Sequence, residues 1–414
     1  MMRRLVLNSI SLSAGFALAQ GLTAVAYWIT ARNLDPSQFG EVAAYVGIAM
    51  LLVAAGDFGF NAWVIRELAQ SGSGQTFATS LGVRSAVATS VGGAWIVVTA
   101  AMALGGFTPS YVPALGVWIA FALLWNTLLA PFQAGERMHY VAAVTATERL
   151  VLVAVVGVGA VLGDPAGALV IGLATGAVLA TVLAVTLIKA QMRRVNRPTI
   201  RQIGSALRAS FGFAMSSLAL QAQRLDVAIV GLTAGSFNAG IYAAPARLTN
   251  ALGILPTAFA TSLFPNAAKR RGPLWTRDFV GSLAGLLLVM TVLLTPIFVF
   301  APTLAATLLG HEYESSGDVL RVILVGMLFA TLNHPIAIAY QARGLEHFVA
   351  KTIAIGSAFG LGAIALGAAT VGATGAAVGF VVLQAVSLGV LLVRPRLLRA
   401  DAKADKSLPS HAHL

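Results

Sequence analysis

Cysteine is absent from this chain, which excludes disulfides and thiolate metal sites. Charge is scarce as well: only 10% of the 414 residues are Asp, Glu, Lys or Arg, far below the share found in soluble domains. No P-loop is present, so the chain is not its own ATPase. The six histidines (139, 311, 334, 347, 411 and 413) show no metal-ligand spacing beyond His411 and His413, which read as solvated tail. No metal or other cofactor is expected. The longest outer connection, about 302–318, carries His311, Glu312, Glu314 and Asp318. It is too short for the extracytoplasmic domain that a membrane glycan polymerase, ligase or transferase would need.

What is present is oil. Hydrophobic residues make up 58% of the chain and the mean hydropathy is +0.84, the composition of an integral membrane protein. The net charge of +12 sits mainly in short connections between apolar runs, where it sets orientation, so no nucleic-acid role is needed. Arg3 and Arg4, an apolar run and Ala17-Leu18-Ala19 imitate a cleavable signal. The apolar sequence continues to Ala31, however, so a retained first span is expected.

Runs of spanning length lie at about 8–31, 41–63, 84–105, 111–132, 142–162, 166–188, 209–233, 237–262, 279–301, 319–341, 348–370 and 373–393. They are continuous rather than alternating, which predicts twelve transmembrane helices rather than a barrel. With both termini placed in the cytoplasm, 23 of the 27 basic residues fall on inner segments and only Arg32 and Arg321 on outer ones. That asymmetry is the positive-inside pattern. Arg224 and Arg247 are left inside the hydrocarbon.

Two halves are also visible. Gln133 to Ala142 (QAGERMHYVA) matches Gln341 to Ala350 (QARGLEHFVA) at five of ten positions, an offset of 208. Gly167-Ala168 matches Gly375-Ala376 at the same offset, and Gly40 with Ala43-Ala44 matches Gly240 with Ala243-Ala244 at 200. Six spans per half predict a parallel repeat: lobes at 1–188 and 209–393, a basic cytoplasmic linker at 189–208 and a cytoplasmic tail at 394–414.

Several stretches carry a family likeness. They are ARNLDPSQFG (31–40), Asp57-Phe58-Gly59-Phe60, Val64-Ile65-Arg66-Glu67-Leu68, Arg224-Leu225-Asp226 through Gly231, Ala239-Gly240-Ile241-Tyr242 and Leu309-Gly310-His311-Glu312-Tyr313. In this order they resemble the polysaccharide flippases of the multidrug/oligosaccharidyl-lipid/polysaccharide exporter superfamily. The resemblance implies two bundles around a central cavity, alternating access, and transfer of a polyprenyl-pyrophosphate-linked oligosaccharide from the cytoplasmic to the outer leaflet. It implies a bacterial cytoplasmic membrane, with the lipid-linked glycan and the bilayer as partners and a monomeric chain. The alternative within the superfamily is a cation-coupled multidrug exporter, which would want a cavity of acids and aromatics.

Charge inside hydrocarbon costs roughly 2.5–3.5 kcal/mol per residue on insertion scales and calls for a partner, water or a ligand. Arg224 and Asp226, two apart on a helix, should face different ways. Arg247, about ten residues into the eighth segment, should lie near the midplane. A planar guanidinium suits bidentate binding of phosphate oxygens, so Arg224, Asp226, Arg247 and Asn250 form the expected substrate site. The competing reading is an Asp226–Arg247 pair that only ties two helices together.

In the first lobe Asp57, read as its only buried acid, and Asn61 are candidates for H+ or Na+ coupling, and Arg66 for an inner gate. Arg149 beside Glu148 reads as interfacial. Gln20, Asn126, Gln221, Gln223, Asn333 and His334 could hydrogen-bond sugars or simply hold helices together.

Overall fold

The computed structural model describes residues 2–71, 74–188, 221–257, 259–260, 273–343 and 345–393, with Gly204, Arg208 and Leu218. The expected linker, apart from Gly204 and Arg208, and the expected tail lie outside the described residues. So does most of the seventh segment before Gln221.

Every regular element among the described residues is helical. In chain order they are α1 (Met2–Arg32), α2 (Pro36–Asp57), α3 (Phe60–Ser71), α4 (Gly74–Leu104), α5 (Ala114–Leu128), α6 (Ala130–Ala134), α7 (Met138–Leu162) and α8 (Pro165–Leu187). The second half supplies α9 (Asp226–Thr249), α10 (Pro273–Val299), α11 (Ala301–Leu309), α12 (Ser316–Gln341), α13 (Glu346–Val371) and α14 (Ala373–Leu392). Ten stretches among the described residues are long and apolar enough to cross a bilayer. One of them, Gln223–Thr257, is broken by Gly235, at φ 84°, between the seventh and eighth segments, so it carries the end of one expected span and the start of the next. With α1 as the first, the described helices are consistent with the twelve expected.

The punctuation is local chemistry. Asp35 caps α2 by accepting from the backbone N–H groups of Ser37 and Gln38 at 2.8 and 3.0 Å, satisfying donors that a helix start leaves open. Asp164 caps α8 in the same way through Gly167. α2 stops at Phe58, which takes the left-handed region (φ 46°), followed by Gly59 at φ 67°. Pro245 has no N–H to give the Ile241 carbonyl one turn back, and Ser316 donates its hydroxyl to that oxygen at 3.0 Å.

The repeat is visible in three dimensions. Phe132 and Tyr140 stack at 5.0 Å, and their counterparts 208 residues on, Tyr340 and Phe348, meet at 5.2 Å. Gly159 lies close against Ala168, and Gly367, its counterpart 208 residues on, lies close against Gly375, one residue from the counterpart of Ala168. Helices pack mainly within each half, and α2 against α9 makes the most extensive contact between halves. There Gly40 and Gly240 face each other, a Cβ on Gly240 running into the Pro36 backbone. Equivalent glycines meeting across the seam are what a twofold axis through it requires.

At the end of the bundle where α1 passes into α2, the halves are bolted together. Trp28 Nε1 donates to the Leu308 carbonyl at 2.9 Å, and Arg32 Nη1 to the carbonyls of Thr307 and Leu308 at 3.0 and 3.2 Å. Those carbonyls end α11 and lack intrahelical donors, so one half caps a helix of the other. The Tyr313 hydroxyl donates to the Leu34 carbonyl at 3.2 Å, and its ring packs edge-on against Phe39.

Candidate functional site

A cavity of about 430 Å³ lies in the middle of the bundle, lined chiefly by the second half, with Gln20 of α1 contributing from the first. Arg224, Asp226, Arg247 and Asn250 all line it, beside Gln221, Gln223, Tyr242 and Gln384. The four residues expected from sequence therefore come together. Arg224 and Asp226 do not face apart, because Gln223–Leu225 is a tight 3-10 turn rather than α-helix. Its three residues per turn bring positions two apart closer in direction than an α-helix does.

Asp226 begins α9. Its Oδ1 accepts from the Val227 N–H at 2.8 Å and its Oδ2 from the Tyr242 hydroxyl at 3.1 Å. A carboxylate at a helix N-terminus is favoured by the helix dipole. Arg247 Nη2 stands 3.9 Å from Asp226 Oδ1, a charge pair too long for a hydrogen bond. Arg247 is only 7% exposed, yet its Nε and Nη2 have no hydrogen-bond acceptor among the described residues. Buried cationic donors left unmatched are costly, so an acceptor-rich anion entering here would relieve a real penalty. Arg224 donates through Nε to Gln221 Oε1 at 2.6 Å and approaches Met50 Sδ through Nη1 at 3.5 Å.

The first half holds more charge than its sequence suggests. The acid buried there is Glu148, 2% exposed, whereas Asp57, expected to be the only one, is half-buried. Arg149, its neighbour, lies 3.5 Å from it, and its charge is felt at Arg224. Glu148 is buried and Arg149 half-buried, both about ten residues along α7, which begins at Met138. Trp118 is buried as well.

Asp57, Asn61 and Arg66 do not line the cavity. Asp57 Oδ1 pairs with Arg84 Nη2 at 2.6 Å, while Arg84 Nη1 donates to the Gly56 carbonyl at 2.9 Å and Nε to Thr127 at 2.8 Å. Arg84 was counted as an inner-segment charge but is 1% exposed. It satisfies the carbonyl end of α2 where the chain breaks at Phe58, with its guanidinium 4.8 Å from the Phe60 ring. Asn61 Oδ1 is buried without a partner, and Arg66 is exposed.

Sequence reasoning did not single out Tyr242 or Gln384. Tyr242 ends the Ala239-Gly240-Ile241-Tyr242 stretch quoted above, and Gln384 is an amide in an otherwise apolar run, so both signals were available.

Solved structures share this fold. The chain is similar to the lipid II flippase MurJ in an inward closed conformation, with TM-score 0.75, 12% identity, 94% of this chain and 87% of that one covered. An inward-facing multidrug resistance MATE family transporter of the MOP superfamily gives 0.74 and 13%, covering 94% and 96%. A MOP superfamily transporter from Pyrococcus furiosus, described as having a binding pocket of reverse polarity, gives 0.62 and 14%, covering 97% and 96%. No curated protein sequence matches. Residues 5–270, well over half of the chain, match the polysaccharide biosynthesis protein family, and the chain is a member of it.

Proposed function

We propose that this multi-pass membrane protein is a flippase that carries a polyprenyl-pyrophosphate-linked oligosaccharide from the cytoplasmic to the outer leaflet of a bacterial inner membrane. Arg224 and Arg247 receive the pyrophosphate, Asp226 holds Arg247 in place until the ligand arrives, and Asn250 contributes a polar contact. The observation that carries the reading is Arg247, buried in the cavity wall with two guanidinium nitrogens unmatched. Arginine suits this task because its fork can bind phosphate oxygens in pairs.

Lobes 1–188 and 209–393 rock about the α2–α9 seam, and the lipid tail stays in the bilayer. The charge asymmetry supports cytoplasmic termini, which makes the end bolted by Arg32 and Tyr313 extracytoplasmic and turns the cavity toward the cytoplasm. The protein moves its substrate without making or breaking its bonds. The reading routes no coupling step through Asp57, Asn61 or Arg66, which lie away from the cavity. A drug-cation exporter is disfavoured by a lining that carries two arginines against one acid.

The test is reconstitution into liposomes with fluorescent polyprenyl-pyrophosphate glycan in one leaflet. Wild-type protein should equilibrate the lipid between leaflets, and Arg247→Ala should not. Equal rates for the two proteins would overturn the pyrophosphate role.

A further inference from the structure

Next to the cationic cavity lies a second chamber of about 270 Å³, built wholly from the second half. The two share Gln223, Gly253, Met327, Ala330, Leu383 and Gln384 in their walls, so they adjoin. Their chemistry differs sharply. Among the described residues, the second chamber's lining holds no carboxylate, lysine or arginine, and its polar groups are amides, hydroxyls and the His334 ring.

Several of these groups keep an acceptor, Asn333 Oδ1 among them being buried and unmatched among the described residues, while the Gln384 amide and the His334 ring can also donate. The hydroxyls of Thr331, Thr352 and Ser387 donate to carbonyls of their own helices at 2.8, 3.0 and 2.8 Å, leaving their lone pairs. Gln223 spends an N–H on Ser357 at 3.0 Å. Asn333 spends its amide on the Gln384 carbonyl and side-chain oxygens at 2.9 and 3.0 Å. Pro335 has no N–H to offer the Thr331 carbonyl one turn back.

We infer that this chamber is a subsite for an uncharged sugar of the substrate's glycan, held through its hydroxyl and amide donors while the neighbouring arginines hold the pyrophosphate. The assignment rests on the flippase reading and specifies which part of the head group goes where. The space takes roughly nine waters, the size of one pyranose ring. A neutral wall of mixed acceptors and donors matches the hydroxyls spread around a sugar ring, whereas a hard cation would call for carboxylate among its oxygen ligands. Adjacency to the arginines suits a head group in which the sugar follows directly on the phosphate.

Two variants test it in full-length protein in nanodiscs. Ala337→Leu narrows the chamber, and His334→Leu removes a polar group at similar volume; neither residue lines the cationic cavity. The probes are sugar-free polyprenyl pyrophosphate and the polyprenyl-pyrophosphate glycan extracted from cells that lack this protein. Each variant should bind the glycan lipid about tenfold more weakly while binding the sugar-free lipid within about twofold of wild type, which also verifies folding. Unchanged affinity for the glycan lipid, or equal weakening toward both lipids, overturns the subsite. Sodium dependence of sugar-free lipid binding that disappears in the variants would instead make the chamber a cation site. Wild-type protein that binds neither lipid overturns the flippase reading itself.

Discussion

The Asp226–Arg247 pair decides between a binding site and a structural tie, and the two can be separated by substitution. At 3.9 Å two opposite charges attract by about 1 kcal/mol in water and about 4 kcal/mol at an effective dielectric of 20. Each charge-assisted hydrogen bond that Arg247 gives a phosphate is worth roughly 1.5–3 kcal/mol, so a two-pronged contact, roughly 3–6 kcal/mol, matches or exceeds the pair it displaces. Arg247→Ala should therefore weaken binding of polyprenyl pyrophosphate by about 100-fold. Arg247→Lys keeps the charge but loses the fork and should cost about tenfold. Asp226→Asn removes the competing anion while keeping an oxygen for the Tyr242 hydroxyl. It should tighten lipid binding by about fivefold or more and slow release, so turnover falls while affinity rises. The assay is titration of fluorescent polyprenyl pyrophosphate into nanodiscs at fixed salt, with flipping rates measured in parallel. If Asp226→Asn lowers thermal stability and lipid affinity as much as Arg247→Ala does, and the double variant is no worse than either single one, the pair is a tie and the phosphate role is wrong.

Other consequences can be checked with ordinary means. Asp57→Ala leaves Arg84 buried without its counter-charge and should lower stability by about 3–5 kcal/mol, seen as a drop in unfolding temperature in detergent that Asp57→Ala combined with Arg84→Met largely restores. Arg32→Ala should loosen the bolted end; because the chain has no cysteine, a single Thr307→Cys probe would report this as faster labelling by a membrane-impermeant maleimide. Gly47→Ala puts a methyl 2.8 Å from the Arg224 carbonyl oxygen and should cut flipping well below wild type without loss of expression. Burial, then Asp35 and Glu312, hold the Tyr313 phenol above its ordinary value. Its hydrogen bond to Leu34 should thus persist through the neutral range, and since a raised acid loses its stabilising contribution only as pH climbs past the unfolded value of about 10, maleimide labelling at Thr307→Cys, divided at each pH by the rate for a free thiol because only the thiolate reacts, should be flat from pH 6 to 9.

Length and hydropathy carried the twelve spans, because a helix in lipid must satisfy its own backbone and so needs an uninterrupted apolar run. The internal repeat was legible in one decapeptide, and the paired aromatics Phe132–Tyr140 and Tyr340–Phe348 show why it is kept: each pair packs across the turn joining two spans. Depth was harder to read. Arg84 and Glu148 stand near the start or middle of helices that run past the apolar windows used to place them, and a charge there looks the same in sequence whether it snorkels or pairs inward. Asp57 was noticed, but its partner lies 27 residues on and on a different helix. The side-by-side placement of Arg224 and Asp226 was missed because a short 3-10 turn leaves no periodic trace.

The repeat also explains why the cavity is lopsided. At the offset of 200 that relates Gly40 to Gly240, Arg247 corresponds to Gly47, Asn250 to Met50, and Arg224 and Asp226 to Ala24 and Ala26. A Cβ on Gly47 would stand 3.9 Å from Arg247 Nη2 and 2.8 Å from the Arg224 carbonyl, and Met50 meets the Arg224 guanidinium. The first half thus supplies, at the equivalent positions, the room and the soft surface that the second half's charges occupy. Two charged copies would set like charges against one another near the axis, where repulsion in a weakly screening interior runs to several kcal/mol. One charged copy and one small, neutral copy give instead the single seat beside the seam that is proposed for the anion. A glycine at position 47 is therefore part of the site even though it has no side chain, and its removal should be felt through Arg224 and Arg247 rather than through the stability of the helix that bears it.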